Sequence, residues 1–183
     1  MIKLILFILI DFGVLLGCQN QKTSTNQSVK IENFKSRDTF IPETLKTFIK
    51  ANFVSLRIPT RDNYVKDWES YKSDSIPPFC CTSDFDGDGI RDYCLLLSKD
   101  KKELYLYAFL TTNKSFNSVL IDTIRIQDSG IDAVLSIQNK GEWESVDNKI
   151  NVPNDGITVD LIEESISWSY YWTKNGFVKF LYD

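Results

Sequence analysis

The sequence predicts an α+β fold in which an N-terminal helix packs on a mainly antiparallel β-sheet, arranged as a meander. Three observations support this prediction: a helical pattern at 42–53, a series of β-prone apolar runs after residue 92, and a hairpin signal at 174–176. A helix followed by many strands is typical of an α+β domain. We assign residues 38–183 to this single domain.

The helix is predicted from Pro42 to Phe53. Proline suits the first turn of a helix, and the adjacent Glu43 complements the positive end of the helix dipole. Apolar residues recur at helical spacing, which gives the segment one face for a core. The residues of this face are Ile41, Leu45, Phe48, Ile49 and Phe53.

Seven β-strands are predicted along the rest of the domain from apolar and alternating runs. Their ranges are 93–97, 104–110, 119–126, 133–137, 157–162, 165–172 and 177–182. Lys174-Asn175-Gly176 is typical of a hairpin turn between the last two strands. Pro77-Pro78 marks a break before a further strand, which enters the loop described next.

Residues 84–92 are the most informative stretch, because four carboxylates alternate along the loop and two glycines lie among them. Ca²⁺ takes six to eight oxygen ligands at roughly 2.3–2.6 Å. The predicted ligands are Asp84, Asp86 and Asp88 at loop positions 1, 3 and 5, the Ile90 carbonyl at position 7, and Asp92 at position 9, directly or through water. Gly89 falls at the sixth position, where a sharp turn requires glycine. The loop is therefore predicted to bind Ca²⁺, which is favoured over Mg²⁺ because the ligands are many and flexible.

The calcium loop is predicted to lie between two strands. An EF-hand would have a bidentate glutamate at position 12, but this position is Leu95, inside the β-prone run Tyr93–Leu97. The loop resembles the Asp-x-Asp-x-Asp-Gly-x-x-Asp calcium loops of FG-GAP and integrin-type β-propeller repeats, which lead into a buried strand. It stands once in the chain, so a propeller is not expected. The alternative is an acidic turn without a metal, whose crowded carboxylates would repel one another.

The order of motifs also resembles a group of uncharacterised exported bacterial proteins. In these proteins a proline-led helix precedes an Asp-rich loop that runs into a DY-x-LLL strand, and an Asp-Gly-Ile turn and a YYW…G.F hairpin follow. The matching residues here are Asp92-Tyr93, Leu95-Leu96-Leu97, Asp155-Gly156-Ile157, Tyr170-Tyr171-Trp172, Gly176 and Phe177. The resemblance implies a shared fold and calcium loop over most of residues 40–183, and no activity.

Residues 1–17 are predicted to be a lipoprotein signal peptide. A basic start is followed by an apolar run at 4–16 that is too short to span a bilayer, although Asp11 interrupts it. Leu15-Leu16-Gly17-Cys18 resembles a bacterial lipobox, which implies cleavage before Cys18 and diacylation of that cysteine. The alternatives are an ordinary signal peptide or an uncleaved apolar anchor.

Residues 18–37 carry almost no apolar content and are predicted to form a flexible tether. The tether and the lipid together predict a protein anchored to a membrane of the bacterial cell envelope and facing the periplasm. The sequence does not determine which membrane carries the protein, or on which face.

Composition excludes several functional classes. The 43% apolar and 13% aromatic content indicates a globular body, and the net charge of −4 without a basic patch argues against nucleic acid as a partner. Histidine is absent, which removes histidine-based nucleophilic catalysis and histidine-liganded zinc. We therefore expect no enzymatic activity.

The remaining cysteines, Cys80, Cys81 and Cys94, flank the acidic loop. In an oxidising compartment Cys94 is expected to pair with Cys80 or Cys81, and the sequence does not choose between them. The alternative is that all three are reduced core residues.

The leading functional prediction is a non-enzymatic, calcium-stabilised envelope lipoprotein that binds or supports an unidentified envelope protein or glycan. One alternative is an immunity or inhibitor lipoprotein against an envelope-acting toxin or lytic enzyme, since acidic surfaces attract basic enzymes. A second is a carboxylate-based glycan hydrolase that would use Glu163 or Glu164 with Trp168 or Trp172. Adjacent glutamates on a strand face opposite ways, so these two could not form an acid/base pair.

Overall fold

The computed structural model of this protein describes residues 40–65, 77–100, 102–113, 115–126 and 129–182. The predicted signal peptide, the lipidation site Cys18 and the tether lie outside these residues. No helix in the described part of the chain is long and apolar enough to cross a membrane. The described elements are α1 (Glu43–Asn52), a 3₁₀ turn (Arg61–Asn63), β1 (Cys80–Cys81), β2 (Tyr93–Ser98), β3 (Glu103–Thr111), β4 (Phe116–Arg125), β5 (Ala133–Gln138), β6 (Gly141–Glu144), β7 (Lys149–Val152), β8 (Gly156–Leu161), β9 (Ile166–Thr173) and β10 (Gly176–Leu181).

Helix α1 begins after Pro42, whose carbonyl accepts hydrogen bonds from the backbone N–H groups of Leu45 (3.0 Å) and Lys46 (3.1 Å). Proline is tolerated here because the first N–H groups of a helix have no intrahelical partner. Leu45 and Ile49 are buried and belong to one cluster with Leu95, Leu97 and Phe109. The observed helix is one residue shorter at each end than the predicted one.

The first sheet has the order β1-β2-β3-β4, and all its neighbouring strands are antiparallel. Strand β2 is buried on both faces, which explains its continuous apolar sequence. A register shift between Leu106 and Tyr107 marks a β-bulge, because Leu106 pairs with Asp122 whereas Tyr107 pairs with Leu120.

The second sheet has the order β10-β9-β8-β5 and is also antiparallel. The main hydrophobic core contains side chains from both sheets, so the two sheets form a sandwich around it. Leu96 and Leu106 come from the first sheet, and Val159 and Trp168 come from the second. A backbone hydrogen bond from Leu135 to the Pro78 carbonyl (2.8 Å) also links the β5 strand to the entry of β1.

Strands β6 and β7 form a separate two-stranded hairpin that the sequence patterns did not predict. Its Trp143 is buried, donates a hydrogen bond to the Asn139 carbonyl (2.8 Å), and packs edge-on against Tyr171 and Phe180. A Cβ on Gly156 would lie 2.2 Å from the Trp143 ring, so glycine is required at this contact. The hairpin thereby covers part of β9 and β10.

The predicted α+β class, with an N-terminal helix packed on a mainly antiparallel sheet, is wrong. The described part of the chain is mostly β-structure, with ten strands and one short helix. The sequence interpretation gave too much weight to a strong helical pattern that covers only ten residues. It also missed the β6–β7 hairpin and the division of the strands between two sheets, because pairing between distant strands leaves no local pattern.

Candidate metal site

The acidic loop Asp84–Asp92 joins β1 to β2 at one end of the first sheet. A hydrogen bond from the Asp92 N–H to the Ser83 carbonyl (2.7 Å) closes the base of the loop. Phe85 is fully buried in the main core and contacts Phe177 edge-on, while Asp84 and Asp86 on either side of it are only half-buried. The buried phenyl ring therefore fixes the loop and leaves the neighbouring carboxylates near the surface.

Two glycines give the loop its tight backbone path. Gly87 and Gly89 have φ angles of +82° and +84°, in the left-handed region that favours glycine. Their N–H groups donate to the two carboxylate oxygens of Asp84, at 2.8 and 2.9 Å respectively. Asp86 and Asp88 each accept an N–H from the residue two positions ahead, at 3.2 and 2.7 Å. The loop thus folds around its own carboxylates.

Asp84, Asp86 and Asp88 are brought together by this path, with one ligand oxygen from each within 4.8 Å of the others. Two oxygens bound to one Ca²⁺ at roughly 2.3–2.6 Å can be no more than about 5 Å apart, so the spacing fits a shared ion. Burial raises the pKa of Asp86, and the charges of Asp88 and Asp84 add to the rise. Among the described residues, no lysine or arginine forms an ion pair with the three carboxylates.

Asp92 is placed differently from these three. It is fully buried, and its two oxygens accept the N–H groups of Phe85 (3.0 Å) and Thr111 (2.7 Å). Burial raises the pKa of Asp92 to about 6, against the lowering effect of the Thr111 and Phe85 N–H groups. The oxygens of Asp92 do not belong to the group that Asp84, Asp86 and Asp88 form. Ile90 lies in the loop and donates its N–H to Asp88.

A second loop, between β7 and β8, supports the acidic loop from the side. The Ser83 hydroxyl donates to Asp155 (2.6 Å), whose other oxygen accepts the Lys140 N–H (3.0 Å). Asn154 donates to the Phe85 carbonyl (3.3 Å), and a Cβ on Gly87 would lie 2.7 Å from the Asn154 side chain. The sequence interpretation treated Asp155-Gly156 only as a turn and missed this support, because the contacts join residues about seventy positions apart.

Replacing Asp155 with alanine is expected to destabilise the domain at pH 7 by about 1–2 kcal/mol, because two hydrogen bonds to a partly exposed carboxylate are lost. The Ser83 hydroxyl, and then the Lys140 N–H, lower the pKa of Asp155 in the folded state. The stability that this carboxylate contributes is therefore present above its ordinary pKa and is lost as pH falls through the lowered value. Urea unfolding should show a gap between wild type and variant that is smaller at pH 3 than at pH 7.

The exposed Asp147 provides a matched control, because it lies in the β6–β7 turn without a described hydrogen bond. Its alanine variant is expected to stay within about 0.5 kcal/mol of wild type. Equal destabilisation of both variants, or an Asp155 gap that widens at low pH, would contradict the assigned role.

The three cysteines near the loop are all buried and are all thiols in this structure. Cys81 pairs with Cys94 across β1 and β2, whereas Cys80 pairs with Leu95. Burial is the main reason that the pKa values of the Cys80 and Cys94 thiols are raised.

The glutamates considered for glycan hydrolysis lie elsewhere. Glu163 and Glu164 are exposed in the turn between β8 and β9, rather than on a strand, and Glu163 accepts a hydrogen bond from the Ser129 hydroxyl (2.8 Å). Trp168 is buried in the main core, and Trp172 is partly buried and packs against Phe177. Both tryptophans therefore contribute to packing.

A polar cluster between the two sheets was not predicted. The Tyr170 hydroxyl donates to Asp122, the Trp168 indole N–H donates to Tyr170 (2.7 Å), and Lys179 lies 3.4 Å from Asp122 and 4.2 Å from the centre of the Trp168 ring. The β-bulge beside Asp122 bends the strand and so changes the direction of this part of β4. The one sequence feature that could have indicated this cluster is the carboxylate of Asp122, which lies in a predicted strand with strongly alternating apolar residues. The hydrogen bonds and the ion pair of this cluster connect the two sheets, and they also satisfy the polar groups that take part.

Comparison of the chain with protein-family models, with curated proteins and with solved structures gives no match.

Proposed function

We propose that this protein is a non-enzymatic binding or scaffold domain that is stabilised by Ca²⁺ in its acidic loop. The single observation that carries the proposal is the convergence of the Asp84, Asp86 and Asp88 carboxylates within 4.8 Å. Such a group without a cation loses stability through like-charge repulsion, which contributes to the raised pKa of Asp86. A bound divalent cation would attract all three carboxylates and so offset their mutual repulsion.

The donor set fits calcium chemically. All three donors are carboxylates, which are the hard oxygen ligands that Ca²⁺ takes. Each oxygen that accepts a loop N–H has a second lone pair, so the hydrogen bonds of the loop leave room for coordination. Asp84, Asp86 and Asp88 would hold the ion, and the contributions of the Ile90 carbonyl and of Asp92, directly or through water, stay predictions. The bound ion would supply structural stability.

Anchoring at the envelope belongs to the same proposal. The lipobox-like sequence ending at Cys18 and the polar segment 18–37 support a lipid-anchored domain that stands off the membrane and faces the periplasm. An envelope protein or a glycan is the proposed partner. The lack of histidine and the placement of Glu163 and Glu164 in an exposed turn support a binding role over catalysis.

Thermal unfolding of the full chain in detergent, with 1 mM Ca²⁺ or with EGTA, tests the proposal. If free Ca²⁺ is about 100 times the dissociation constant, the ion adds about 2.7 kcal/mol of stability. For a domain of this size, that corresponds to a Tm increase of roughly 5–10 °C. The Asp84→Ala/Asp88→Ala variant should lose the increase, whereas Asp147→Ala should keep it. Equal Tm values for wild type in Ca²⁺ and EGTA would refute calcium stabilisation.

A further inference from the structure

The three buried cysteines are distinguished by the register of β1 and β2. Cys81 lies directly opposite Cys94, and both side chains belong to the main core between the sheets. Cys80 belongs to the cluster on the other face, with Leu95 and Phe109. Because successive side chains of a strand point to opposite faces, the Cys80 thiol is directed away from Cys94.

The Cα spacing expected at Cys81 and Cys94 lies within the range of disulfides. Hydrogen bonds from Leu96 N to the Phe79 carbonyl (2.9 Å) and from Asp92 N to the Ser83 carbonyl (2.7 Å) lie two residues to either side. Hydrogen-bonded pairs alternate with non-bonded pairs in an antiparallel ladder, so Cys81 and Cys94 form a hydrogen-bonded pair. The Cα atoms of such a pair are about 5.5 Å apart, inside the roughly 4.4–6.8 Å range of disulfides.

The two side chains also lie in one buried region. Cys81 and Cys94 are both buried and belong to the same cluster of the main core. The Cys80 thiol instead donates a long hydrogen bond to the Cys81 carbonyl, 3.9 Å away, and packs in the cluster on the other face.

We propose that Cys81 and Cys94 form a disulfide when a disulfide oxidant is present, and that Cys80 remains a thiol. One protein thiolate attacks the oxidant RSSR and releases one RSH, and the second protein thiol then attacks the mixed disulfide and releases the other. The net change converts two protein thiols and RSSR into one protein disulfide and two RSH. Since both thiols are buried, the exchange takes place during folding or when the two-residue strand β1 opens.

The bridge would tie together the two strands that carry the acidic loop. It would close the chain just outside the Ser83–Asp92 backbone contact and hold β1 in the first sheet. A cross-link that closes a loop stabilises the fold mainly by restricting the unfolded chain. The bridge does not require a bound cation, because the strand register and the shared core cluster bring Cys81 and Cys94 together without one.

Refolding of the full chain with Cys18→Ser, in detergent and with a mixture of oxidised and reduced glutathione, tests the inference. Before alkylation, the oxidised chain should be two hydrogens lighter than the reduced chain. After alkylation of the remaining thiols, the oxidised chain should carry one alkyl group. Cleavage after Arg91 separates the Cys80-Cys81 peptide from the Cys94 peptide, so the bridge should appear as a linked peptide pair. Its fragmentation should place the label on Cys80. The oxidised chain should also melt several degrees higher.

Cys80→Ser should keep the linked pair, and Cys81→Ser should lose it. Three alkylated thiols after oxidation, or a pair whose fragmentation places the bridge on Cys80, would overturn the inference. Fragmentation of the linked peptides assigns the bridge in a chain that retains all three loop cysteines. This step needs no destabilising substitution, so misfolding of the Cys81→Ser variant does not prevent the test.

Discussion

Replacing Phe85 with alanine is expected to destabilise the domain by about 3–5 kcal/mol, as truncation of a buried aromatic ring does. Phe85 is fully buried and packs in the core between the two sheets. It is also the one residue between Asp84 and Asp86, so its loss removes the anchor that sets the direction of both carboxylates. Equilibrium unfolding in urea, with EGTA present, measures the packing loss without a contribution from a bound ion.

The matched control for Phe85 is Val54→Ala, because Val54 is 89% exposed. This control should unfold within about 0.5 kcal/mol of wild type. A Phe85→Ala variant that loses less than about 1 kcal/mol would contradict the role of the ring as the anchor of the loop, since even small core truncations cost about this much.

Replacing Asp92 with alanine is expected to cost about 2–5 kcal/mol, even without calcium. Its carboxylate accepts the N–H groups of Phe85 and Thr111 inside the protein, and each N–H left unpaired costs about 1–3 kcal/mol. Urea unfolding in EGTA separates this bracing role from cation binding, because no metal is present in either chain.

Asp92→Asn is the informative companion variant. An amide has one acceptor oxygen, so it can satisfy one of the two N–H groups and should lose about half as much stability as alanine. If the alanine variant is as stable as wild type in EGTA, the bracing role is wrong, and any remaining effect of Asp92 must come from the cation.

Local patterns predicted the individual elements better than their arrangement. Helix α1 and strands β2 to β5 and β8 to β10 follow from apolar periodicity, which reports what one segment buries. The β6–β7 hairpin lies in a polar stretch where Trp143 and Val152 alone are buried, so no periodic pattern marked it. The two-sheet architecture depends on pairings between distant strands, and this is why the α+β prediction failed.

The acidic loop shows the same limit at the scale of single side chains. The spacing of Asp84, Asp86 and Asp88 was sufficient to predict that they converge, because alternate residues of a short loop can face one centre. The bracing contacts of Asp92 with Thr111 and of Asp155 with Ser83 join residues 19 and 72 positions apart. Sequence spacing contains no information on such contacts. Similarly, only the strand register separates Cys81 from Cys80 as the neighbour of Cys94.

We propose that Asp84, Asp86 and Asp88 together bind one Ca²⁺. The most direct measurement is calcium titration of the full chain in competition with a chelating dye, alongside the Asp86→Asn/Asp88→Asn variant. Asparagine keeps an oxygen for the loop N–H groups of Asp88 and Ile90 but removes two charges, so the loop backbone retains its hydrogen bonds. We predict one ion per wild-type chain, with a dissociation constant of about 10 µM, and affinity at least tenfold weaker in the variant. No binding to the wild-type chain, or equal affinity in both chains, would show that these carboxylates do not share a bound Ca²⁺.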